Sequence, residues 1–379
     1  MGHSRRLRVA LAGLRFGAEF VPIYLHHPDV EYLGIVDTDP DVLRERGDTF
    51  EVERRHGSLD EALGSGQYDA VHLVTPIPLH AGQAVAALDA GLHCACTVPM
   101  ATSLDDLRAI VAAQRRSGRH YMMMETAVYT REFLFAKSLL ERGELGRIQF
   151  LRGAHYQDME HWPAYWMGLP PMHYATHAVS PCLRLAGTHA AEVHCYGSGW
   201  MREELHEPHG NPFPVETAIF KLADSDVCME ITRSLFHTAR DYTESFNVYG
   251  ETGTFEWQQL EKEEDPVVFG ATNDCSTTGR RVHAPDRADL LPPEIARFTQ
   301  RGAYDTSVPH RLFAQGGAHG GSHPHLVHEF VRSIIEGRPP AIDAATAANW
   351  TAAGICAHAS AMQGGARVVV PDFRAEASG

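Results

Sequence analysis

Short apolar runs alternate with longer amphipathic stretches along the first third of the chain. The strand-like runs occupy residues 7–12, 30–36, 70–74, 92–96 and 120–125. The stretches between them carry helix signals, such as the glycine that follows residues 83–90 and the serine and aspartates that open residues 103–118. Strands that alternate with helices at this spacing predict a parallel, doubly wound α/β sheet, in which ligands bind at the carboxyl ends of the strands.

The second half of the chain follows a different period. Apolar and polar residues alternate over 148–155, 192–197, 216–222, 227–234 and 245–249, as they do in half-buried strands. Residues 258–310 are polar and rich in proline, and we expect a long excursion over the surface or a neighbouring subunit. Two helices, over 325–336 and 343–364, and a last strand over 366–370 complete the predicted elements.

The bulk composition narrows the class of protein. With 379 residues the chain is long for a single hydrophobic core and suits two domains. A formal net charge of −15 argues against nucleic acid or an anionic membrane surface as a partner, and no apolar run approaches the roughly 20 residues of a membrane span. The first residues lack the apolar core of a signal peptide, and the seven cysteines show no C-x-x-C spacing. We therefore expect a cytoplasmic protein.

The first apolar run ends in a turn typical of dinucleotide-binding proteins. Gly13 follows the strand, and Arg15, Phe16 and Gly17 come before a helical stretch, whose backbone N–H groups would hold a pyrophosphate. The fingerprint is incomplete, because Arg15 replaces its second glycine. We expect Gly17 to allow the close approach instead and Arg15 to contact a phosphate. Asp37 ends the second strand, where its carboxylate would bind the adenosine ribose and repel a 2′-phosphate, so NAD is the expected cofactor.

Further polar loops lie where the other predicted strands end. These loop residues are Thr75, Pro76 and His80 after 70–74, Thr97, Val98 and Pro99 after 92–96, and Glu125 at the end of 120–125. Because the carboxyl ends of parallel strands line the ligand crevice, these residues join the candidate cofactor site.

With the motifs further along, this layout resembles the glucose–fructose oxidoreductase/inositol 2-dehydrogenase family over essentially the whole chain. The matching positions are the Gly13 turn, the Thr75-Pro76 loop with His80, the run 91–99, Glu125 with Tyr129 and Arg131, His177, and the closing run 337–343. The resemblance implies an NAD-binding Rossmann domain over 1–125. It also implies a substrate-binding and oligomerisation domain over 126–379, an α/β domain with a large open, mostly antiparallel sheet. That sheet commonly forms the subunit interface in the family, so we expect a homodimer or homotetramer.

One branch of that family is more similar still: the NAD-dependent glycosidases typified by bacterial α-N-acetylgalactosaminidase. After the strand that corresponds to residues 92–96, the dehydrogenases usually carry Glu-Lys-Pro. Their lysine assists proton transfer during hydride transfer. This chain has Val98 at the lysine position, as the glycosidases do, and Val98 can neither ionise nor donate a hydrogen bond. The runs 124–131 and 174–181 also match that branch. Thr97 departs from it, because the glycosidases carry glutamate there, so hexosamine specificity is not implied and sulfoquinovose-type sugars are equally open.

Three residues are candidates for proton transfer. His177 matches the family's histidine, and imidazole titrates near working pH. Tyr129 and Tyr174 are candidate bases or sugar contacts, since a phenol becomes a base only if a nearby cation or the positive nicotinamide lowers its pKa. His173 stands where the dehydrogenases usually have aspartate, and we assign it to substrate contact. Its spacing from His177 also suits metal ligands on one helix face, but a mononuclear site would need a third ligand, and we expect no metal.

Aromatic and histidine side chains supply further candidate substrate contacts. Trp162, Tyr165 and Trp166 form a dense aromatic patch, whose ring faces either stack on the apolar faces of pyranose rings or pack in the core. His319 and His323 belong to a glycine-rich loop. No strand precedes that loop in a nucleotide-binding arrangement, so we expect it on the substrate side.

Three functional hypotheses follow. The first is an NAD-dependent glycoside hydrolase that acts on a modified hexoside by transient oxidation at C3, elimination of the aglycone, addition of water and re-reduction. The second is an NAD-dependent sugar or inositol dehydrogenase that works without the lysine. The third is a non-catalytic sugar or nucleotide sensor. The absence of the family's glutamate and lysine at positions 97 and 98 favours it, and the candidate proton-transfer groups Tyr129, Tyr174 and His177 oppose it. A hydrolase needs no added NAD, whereas a dehydrogenase produces NADH stoichiometrically.

Overall fold

The chain forms two compact units, each with its own sheet. The computed structural model describes residues 6–260, 265–271, 276–300 and 318–376. The first unit consists of Met1–Ala101, Asp105–Thr130 and Asp286–Ala348, and the second consists of Thr102–Leu104, Arg131–Pro285 and Asn349–Gly379.

A parallel sheet forms the centre of the first unit. Its strands are β1 (Leu7–Ala12), β2 (Val30–Val36), β3 (Arg55–His56), β4 (Ala70–Leu73), β5 (His93–Cys96) and β6 (Tyr121–Met123). They lie in the order β3-β2-β1-β4-β5-β6, and each neighbouring pair is parallel. The order reverses between β1 and β4, which is the point at which doubly wound folds bind their ligands.

Helices connect the strands, and local sequence signals set several of their ends. Those in the described residues are α1 (Val21–His26), α2 (Pro40–Thr49), α3 (Leu59–Gly64), α4 (His80–Asp89), α5 (Leu104–Ser117), α6 (Arg131–Glu141), α7 (Thr176–Ala186), α8 (Pro293–Ala296), α9 (His323–Glu336) and α10 (Ala344–Met362). Asp39 caps α2, because its carboxylate accepts from two backbone N–H groups of the first turn. Gly187 and Gly337 end α7 and α9 in the left-handed conformation that glycine tolerates best.

The second unit contains a mixed sheet that is mostly antiparallel. Its strands are β7 (Ile148–Tyr156), β8 (Ala190–Ser198), β9 (Val215–Leu222), β10 (Cys228–Ser234), β11 (Thr243–Gly250), β12 (Gly253–Glu256), β13 (Val267–Ala271), β14 (Thr277–Arg281) and β15 (Val368–Val369). The order is β14-β13-β12-β11-β7-β10-β9-β8-β15, with β7 and β10 as the parallel pair. A Cβ on Gly153 would lie 2.3 Å from the carbonyl oxygen of Ala178, so α7 packs closely on the face of β7 that carries Gly153.

The predicted fold class is confirmed: a parallel Rossmann sheet comes first and a mostly antiparallel sheet follows. The bounds of β1 and β2 agree with the prediction. Residues 258–310 differ from the expected excursion, because β13 and β14 form a hairpin that extends the sheet edge. Both strands are short and β14 is exposed throughout, so no apolar alternation announces them. Residues 261–264, 272–275 and 301–310 of that segment lie outside the described residues.

The compact units do not follow a single cut after residue 125. Residues 286–348 cluster with the first unit, where the Met123 N–H donates to the Ile342 carbonyl oxygen at the edge strand β6. The roles given to the two segments, cofactor binding and substrate binding with oligomerisation, stay predictions. Among the residues described, no helix has the length and apolar character that crossing a membrane requires.

Candidate active site

The turn after β1 in the first unit is shaped by glycine. Gly13 has φ +91°, and a Cβ there would lie 2.3 Å from the carbonyl oxygen of Val74, so no other residue fits without moving the backbone. Gly17 does not have a positive φ. A Cβ built there would nevertheless lie 3.1 Å from side-chain atoms of Leu11 and Val74. The turn therefore presses against the end of β4. Phe16 projects from it with 42% of its surface exposed.

Asp37 ties the end of β2 to this turn. One carboxylate oxygen accepts from the Leu14 N–H at 2.8 Å, and the other accepts from the Asp39 N–H at 2.9 Å. Arg15 is exposed and forms an ion pair with Asp39 at 3.1 Å. A negative charge is thus fixed at the carboxyl end of β2, while the guanidinium of Arg15 stands at the surface beside it.

His80 joins two of the candidate loops. Its Nδ1 lies 2.8 Å from the Pro99 carbonyl oxygen and its Nε2 lies 2.8 Å from the Thr75 carbonyl oxygen. Burial lowers the pKa of His80, and the two carbonyl contacts act in the opposite direction. The imidazole thus lies between the loops after β4 and β5, and in its neutral form its one N–H donates to one of the two carbonyl oxygens. Pro76 is exposed on the first of these loops.

The tripeptide after β5 offers no ionisable side chain. The Thr97 N–H and hydroxyl both donate to the Leu73 carbonyl oxygen, at 3.0 and 3.3 Å. Val98 is buried, with 8% of its surface exposed. At this strand end the protein presents a valine side chain and a hydroxyl that is already bonded to the backbone.

Glu125 and Tyr129 follow β6. Glu125 is fully buried, and its carboxylate accepts from the Ala127 N–H at 3.0 Å at the start of a short 3₁₀ turn. Tyr129, half-buried, comes directly after that turn and stacks on His325, with ring centroids 6.4 Å apart. Burial lowers the pKa of His325 to about 4, so its ring is neutral at working pH. Glu125 acts here on the backbone that carries Tyr129.

His319 and His323 lie beside the dinucleotide turn of the first unit. The ring of Phe16 meets both imidazoles edge to face, at 6.1 and 5.9 Å. His323 Nδ1 lies 3.4 Å from a carboxylate oxygen of Glu19. Burial raises the pKa of Glu19 to about 7, and His319 partly offsets this effect. The role of the two histidines in substrate contact stays a prediction.

In the second unit, ionisable residues form a row across four adjacent strands. Strand register pairs Glu216 with Arg233, Arg233 with His155, and His155 with Glu244, along β9, β10, β7 and β11. Glu216, Arg233 and His155 have no exposed surface and Glu244 has 7%. His155 shares its face of β7 with Gly153, the residue against which α7 packs. The row is therefore a charged layer beneath α7.

His177, near the start of α7, meets this row. Its Nε2 lies 3.4 Å from the Tyr174 hydroxyl and 3.5 Å from a carboxylate oxygen of Glu244. The Tyr242 hydroxyl donates to that same carboxylate. His155 closes the cluster, with its ring 5.3 Å from that of His177. A carboxylate beside an imidazole stabilises its protonated form, and a phenol at the same nitrogen gives the proton a second place to go. We call His155, Tyr174, His177, Arg233, Tyr242 and Glu244 the proton-transfer cluster.

Arg233 supplies a buried positive charge to this cluster. Its Nε donates to the Tyr174 carbonyl oxygen at 2.9 Å, and Nη2 donates to Gln157 Oε1 at 3.0 Å. Nη1 donates to the carbonyl oxygens of His155 and Ser234. Burial lowers the pKa of Arg233 to about 10, so it keeps its charge at working pH.

His173 does not join His177. It ends up in a 3₁₀ turn before α7, with its ring edge-on to that of His358 at 5.0 Å, and burial lowers its pKa to about 3. Glu216 fixes this turn, because its carboxylate accepts from the Met172 N–H at 2.8 Å and lies 2.7 Å from His358 Nδ1. Within the described ranges, no three His, Cys, Asp or Glu side chains are placed to hold a metal ion.

The aromatic patch leads from the cluster to the surface of the second unit. Trp166 is buried and meets the ring of Tyr174 edge to face at 4.7 Å. Tyr165 and Trp162 lie 5.5 and 6.3 Å from the ring of Trp166, and Trp162 has 52% of its surface exposed. Trp166 thus packs in the core, while Trp162 keeps a face open to solvent.

Comparison with known proteins bears on both units. Residues 7–125 match the family described as oxidoreductases with an NAD-binding Rossmann fold, GFO/IDH/MocA. Residues 7–125 of this chain therefore belong to the GFO/IDH/MocA oxidoreductase family. A glycosyl hydrolase family 109 protein of Bacteroides fragilis is 22% identical over 97% of this chain and 85% of its own length. A 1-carboxy-3-chloro-3,4-dihydroxycyclohexa-1,5-diene dehydrogenase of Comamonas testosteroni is 29% identical, over 41% of this chain and 40% of its own.

Among solved structures, the fold of this chain is similar to that of a levoglucosan dehydrogenase in complex with NADH. The TM-score is 0.78 at 20% sequence identity, over 97% of this chain and 100% of that one. An oxidoreductase of Agrobacterium radiobacter, in complex with NAD⁺, L-tartaric acid and magnesium, gives a TM-score of 0.74 at 17% identity, over 98% and 99% of the two chains. At these identities the likeness concerns the fold.

The expected cofactor, NAD, is confirmed by the family. The residues of this chain fit it. The cradle at Gly13 would be filled by a Cβ, as expected where a backbone must approach a pyrophosphate. The carboxylate of Asp37 at the end of β2 suits an unphosphorylated ribose, because a 2′-phosphate would meet its negative charge.

Several residues of the candidate site escaped the sequence analysis. They are Glu19 in the first unit and His155, Glu216, Tyr242, Glu244 and His358 in the second. A signal existed for the strand residues: each stands at the inward position of an alternating strand, in line with apolar residues of that strand. His155 follows Leu151 and Gly153 in this way, and Glu244 precedes Phe246. A charged residue at an inward position indicates either a buried pair or a site.

Proposed function

We propose that this protein is an NAD-dependent glycoside hydrolase. The observation that carries the proposal is the buried Val98 at the end of β5, where an ionisable residue would assist simple hydride transfer. Proton-carrying groups are instead gathered in the second unit around His177. The family 109 glycosyl hydrolase names of relatives that match nearly the whole chain support it.

Such a reaction needs several proton transfers in each cycle. When bound, NAD supplies reversible hydride acceptance at the sugar C3 carbon. A base takes the proton of the C3 hydroxyl, giving a ketone that acidifies the neighbouring C2–H. A second base removes the C2 proton while an acid protonates the leaving oxygen, so the C1–O bond breaks and a C1=C2 double bond forms. Addition of water and return of the hydride complete hydrolysis with no net oxidation.

The proton-transfer cluster has the groups that these steps require. His177 exchanges a proton through Nε2, and Glu244 stabilises the imidazolium while that proton is held. Tyr174 shares that nitrogen and is half-exposed, so its hydroxyl is the group of the cluster that we assign to the sugar. Tyr129 is assigned to a second proton transfer. Trp162, with its open ring face, is assigned to stacking on a sugar ring.

The substrate class we propose is a modified hexoside, of hexosamine or sulfoquinovose type. The protein is proposed to work as a cytoplasmic homodimer or homotetramer. Supporting the oligomer, Tyr196 and Ile219 expose 63% and 45% of their surface on adjacent strands, β8 and β9, of the second unit's sheet. Its open face thus carries apolar surface that a second copy would cover.

A sugar or inositol dehydrogenase is the second candidate function. It is favoured by the full-length structural similarity to a levoglucosan dehydrogenase. That enzyme class needs one proton transfer with each hydride transfer, which the Tyr174–His177 pair alone would provide.

Deuterium exchange distinguishes the candidates. The purified protein is incubated with a panel of aryl hexosides, including hexosamine and sulfoquinovose forms, in D2O without added NAD, and is followed by NMR. Free sugar carrying deuterium at C2 is the expected result. NADH that accumulates only after NAD is added would move the assignment to a dehydrogenase. No exchange and no NADH across the panel would favour the sensor.

A further inference from the structure

Arg233 is a fully buried cation whose hydrogen-bond partners are neutral. Its donors go to three backbone carbonyls and to the amide oxygen of Gln157. Its strand partner on β9 is Glu216. The carboxylate of Glu216 accepts from the Met172 N–H and contacts His358 Nδ1. A buried charge is costly unless something compensates it or uses it.

The guanidinium of Arg233 lies beside the ring of Tyr174. The guanidinium carbon lies 5.4 Å from the centroid of the Tyr174 ring, and Nε holds the carbonyl oxygen of the same residue. This contact fixes the tyrosine backbone and sets a positive charge against its π-system. One side chain therefore holds the backbone of Tyr174 and places a positive charge beside its ring.

Other ionisable groups act on Tyr174 with different signs. His177 on α7 and His155 on β7 contact it directly. Glu244 on β11 and Tyr242, just before β11, follow one contact further, through His177 and through each other. Glu244 carries a negative charge, which opposes ionisation of a nearby phenol, but it accepts from Tyr242 and faces His177 Nε2. Among these groups Arg233 is the permanent cation, and in a buried setting its effect is weakly screened.

We propose that the buried Arg233 guanidinium is a positioning residue that stabilises the Tyr174 phenolate and so makes Tyr174 the base of this site. This inference rests on the proposed function only for the reaction in which the base is used. In the step itself, the Tyr174 phenolate takes the proton of the C3 hydroxyl as the hydride leaves C3, and the proton passes on through His177 Nε2. No charge is created without a neighbour, because Arg233 balances the phenolate before the step and the His177 imidazolium pairs with Glu244 after it.

The test is a site-resolved titration of Tyr174. The protein is labelled with ¹³Cζ-tyrosine, and the signal of Tyr174 is identified as the one missing in Tyr174→Phe. We expect its midpoint at least about one unit below the ordinary tyrosine value of about 10. Arg233→Gln, which keeps hydrogen-bonding groups but no charge, should raise that midpoint by about one unit or more, and Arg233→Lys should restore it.

Arg240→Gln is the matched control. Arg240 lies in the same unit and also donates to backbone carbonyls, and its guanidinium lies 5.9 Å from the ring of Tyr156. Its replacement should leave the Tyr174 midpoint unchanged. With an active substrate, the acid limb of kcat/KM should move to higher pH in Arg233→Gln and return in Arg233→Lys.

An unchanged Tyr174 midpoint in folded Arg233→Gln would overturn the inference. If that variant does not fold, the unmodified protein decides, because a wild-type midpoint at or above 10 overturns it equally. The titration is made without sugar, so it stands or falls separately from glycoside hydrolysis. Absence of C2 exchange with a lowered Tyr174 midpoint would reject the hydrolase and keep the assignment of the base.

Discussion

The two sheets of this protein position their functional residues in different ways. In the first unit each candidate follows the strand that places it, as Gly13 follows β1 and Asp37 follows β2. In the second unit His155 is far in sequence from Arg233 and Glu244 and meets them only through strand register. A site of the first kind is encoded locally, whereas a site of the second kind exists only when the whole sheet has formed.

His177→Gln should have the largest effect. The substitution removes the proton carrier at Nε2 and leaves the Tyr174 and Glu244 side chains in place, so kcat/KM should fall by about 10²- to 10⁴-fold. Because the role is chemical, the free energy of unfolding should change far less. Steady-state kinetics on the substrate found by the exchange experiment, together with urea denaturation, measures both quantities.

His194→Gln serves as its control. His194 belongs to the same unit but is exposed on β8, with Nδ1 3.0 Å from the Gly365 carbonyl oxygen. Its activity should stay within about twofold of wild type, as for most surface changes. Equal losses in the two variants would mean that the second unit is sensitive to any histidine change, and the cluster would lose its special status.

Gly13→Ala tests the local kind of site. The new Cβ would lie 2.3 Å from the Val74 carbonyl oxygen at a residue with φ +91°, so we expect a loss of about 3 kcal/mol in the free energy of unfolding and at least about tenfold weaker NAD binding. Calorimetric NAD titration and urea denaturation measure these effects.

Gly91→Ala separates the two causes of that loss. Gly91 also has positive φ, +81°, but no atom lies within 4 Å of a Cβ built there. It should cost about 1 kcal/mol from backbone conformation alone and leave NAD affinity unchanged. If both alanine variants bind NAD equally well, the close approach at Gly13 does not serve the cofactor.

Glu19 makes the stability of the first unit depend on pH. Burial raises the pKa of its carboxyl from 4.5 to about 7, so between these values the folded protein binds more protons than the unfolded chain. The free energy of unfolding therefore falls as the pH rises through this window. Glu19→Gln removes the carboxylate. Between pH 4 and pH 8 the free energy of unfolding of this variant should therefore rise by about 2 kcal/mol relative to that of wild type.

Urea denaturation of both proteins at several pH values measures the difference. Glu53→Gln, at an exposed position of the same unit, should run parallel to wild type throughout. A Glu19→Gln curve that also runs parallel would mean that the carboxylate is paired well enough to keep an ordinary pKa.

The same comparison explains what the sequence could predict. The elements around Gly13 and Asp37 were predictable, because one apolar run is followed directly by a glycine and the next by an acidic residue. The strand before Val98 was predictable because residues 92–96 form another apolar run. The proton-transfer cluster was predicted only at Tyr174 and His177, which one motif carries. His155 and Glu244 lie 89 positions apart in the sequence and are paired only by strand register. A single sequence carries no information on which residues of distant strands pair.

His173 illustrates the limit from the other side. Its spacing from His177 suggests one helix face, but α7 begins only at Thr176, so the two imidazoles fall on different elements. The 3₁₀ turn that carries His173 is held by Glu216, a residue 43 positions later in number, and no local pattern announces this contact. Whether His173 touches substrate stays a prediction.

Arg15→Ala is expected to have the smallest effect and addresses the one cation of the dinucleotide turn. Its ion pair with Asp39 is exposed, so the free energy of unfolding should change by less than about 1 kcal/mol. If Arg15 contacts a cofactor phosphate, the NAD Kd should rise about three- to tenfold, and the rise should shrink as salt is added. Arg44→Ala is the matched control, because its pair with Asp41 is equally exposed and belongs to α2. Equal NAD affinity in both variants would leave phosphate binding to the backbone N–H groups of the turn, which makes the local kind of site still more dependent on Gly13.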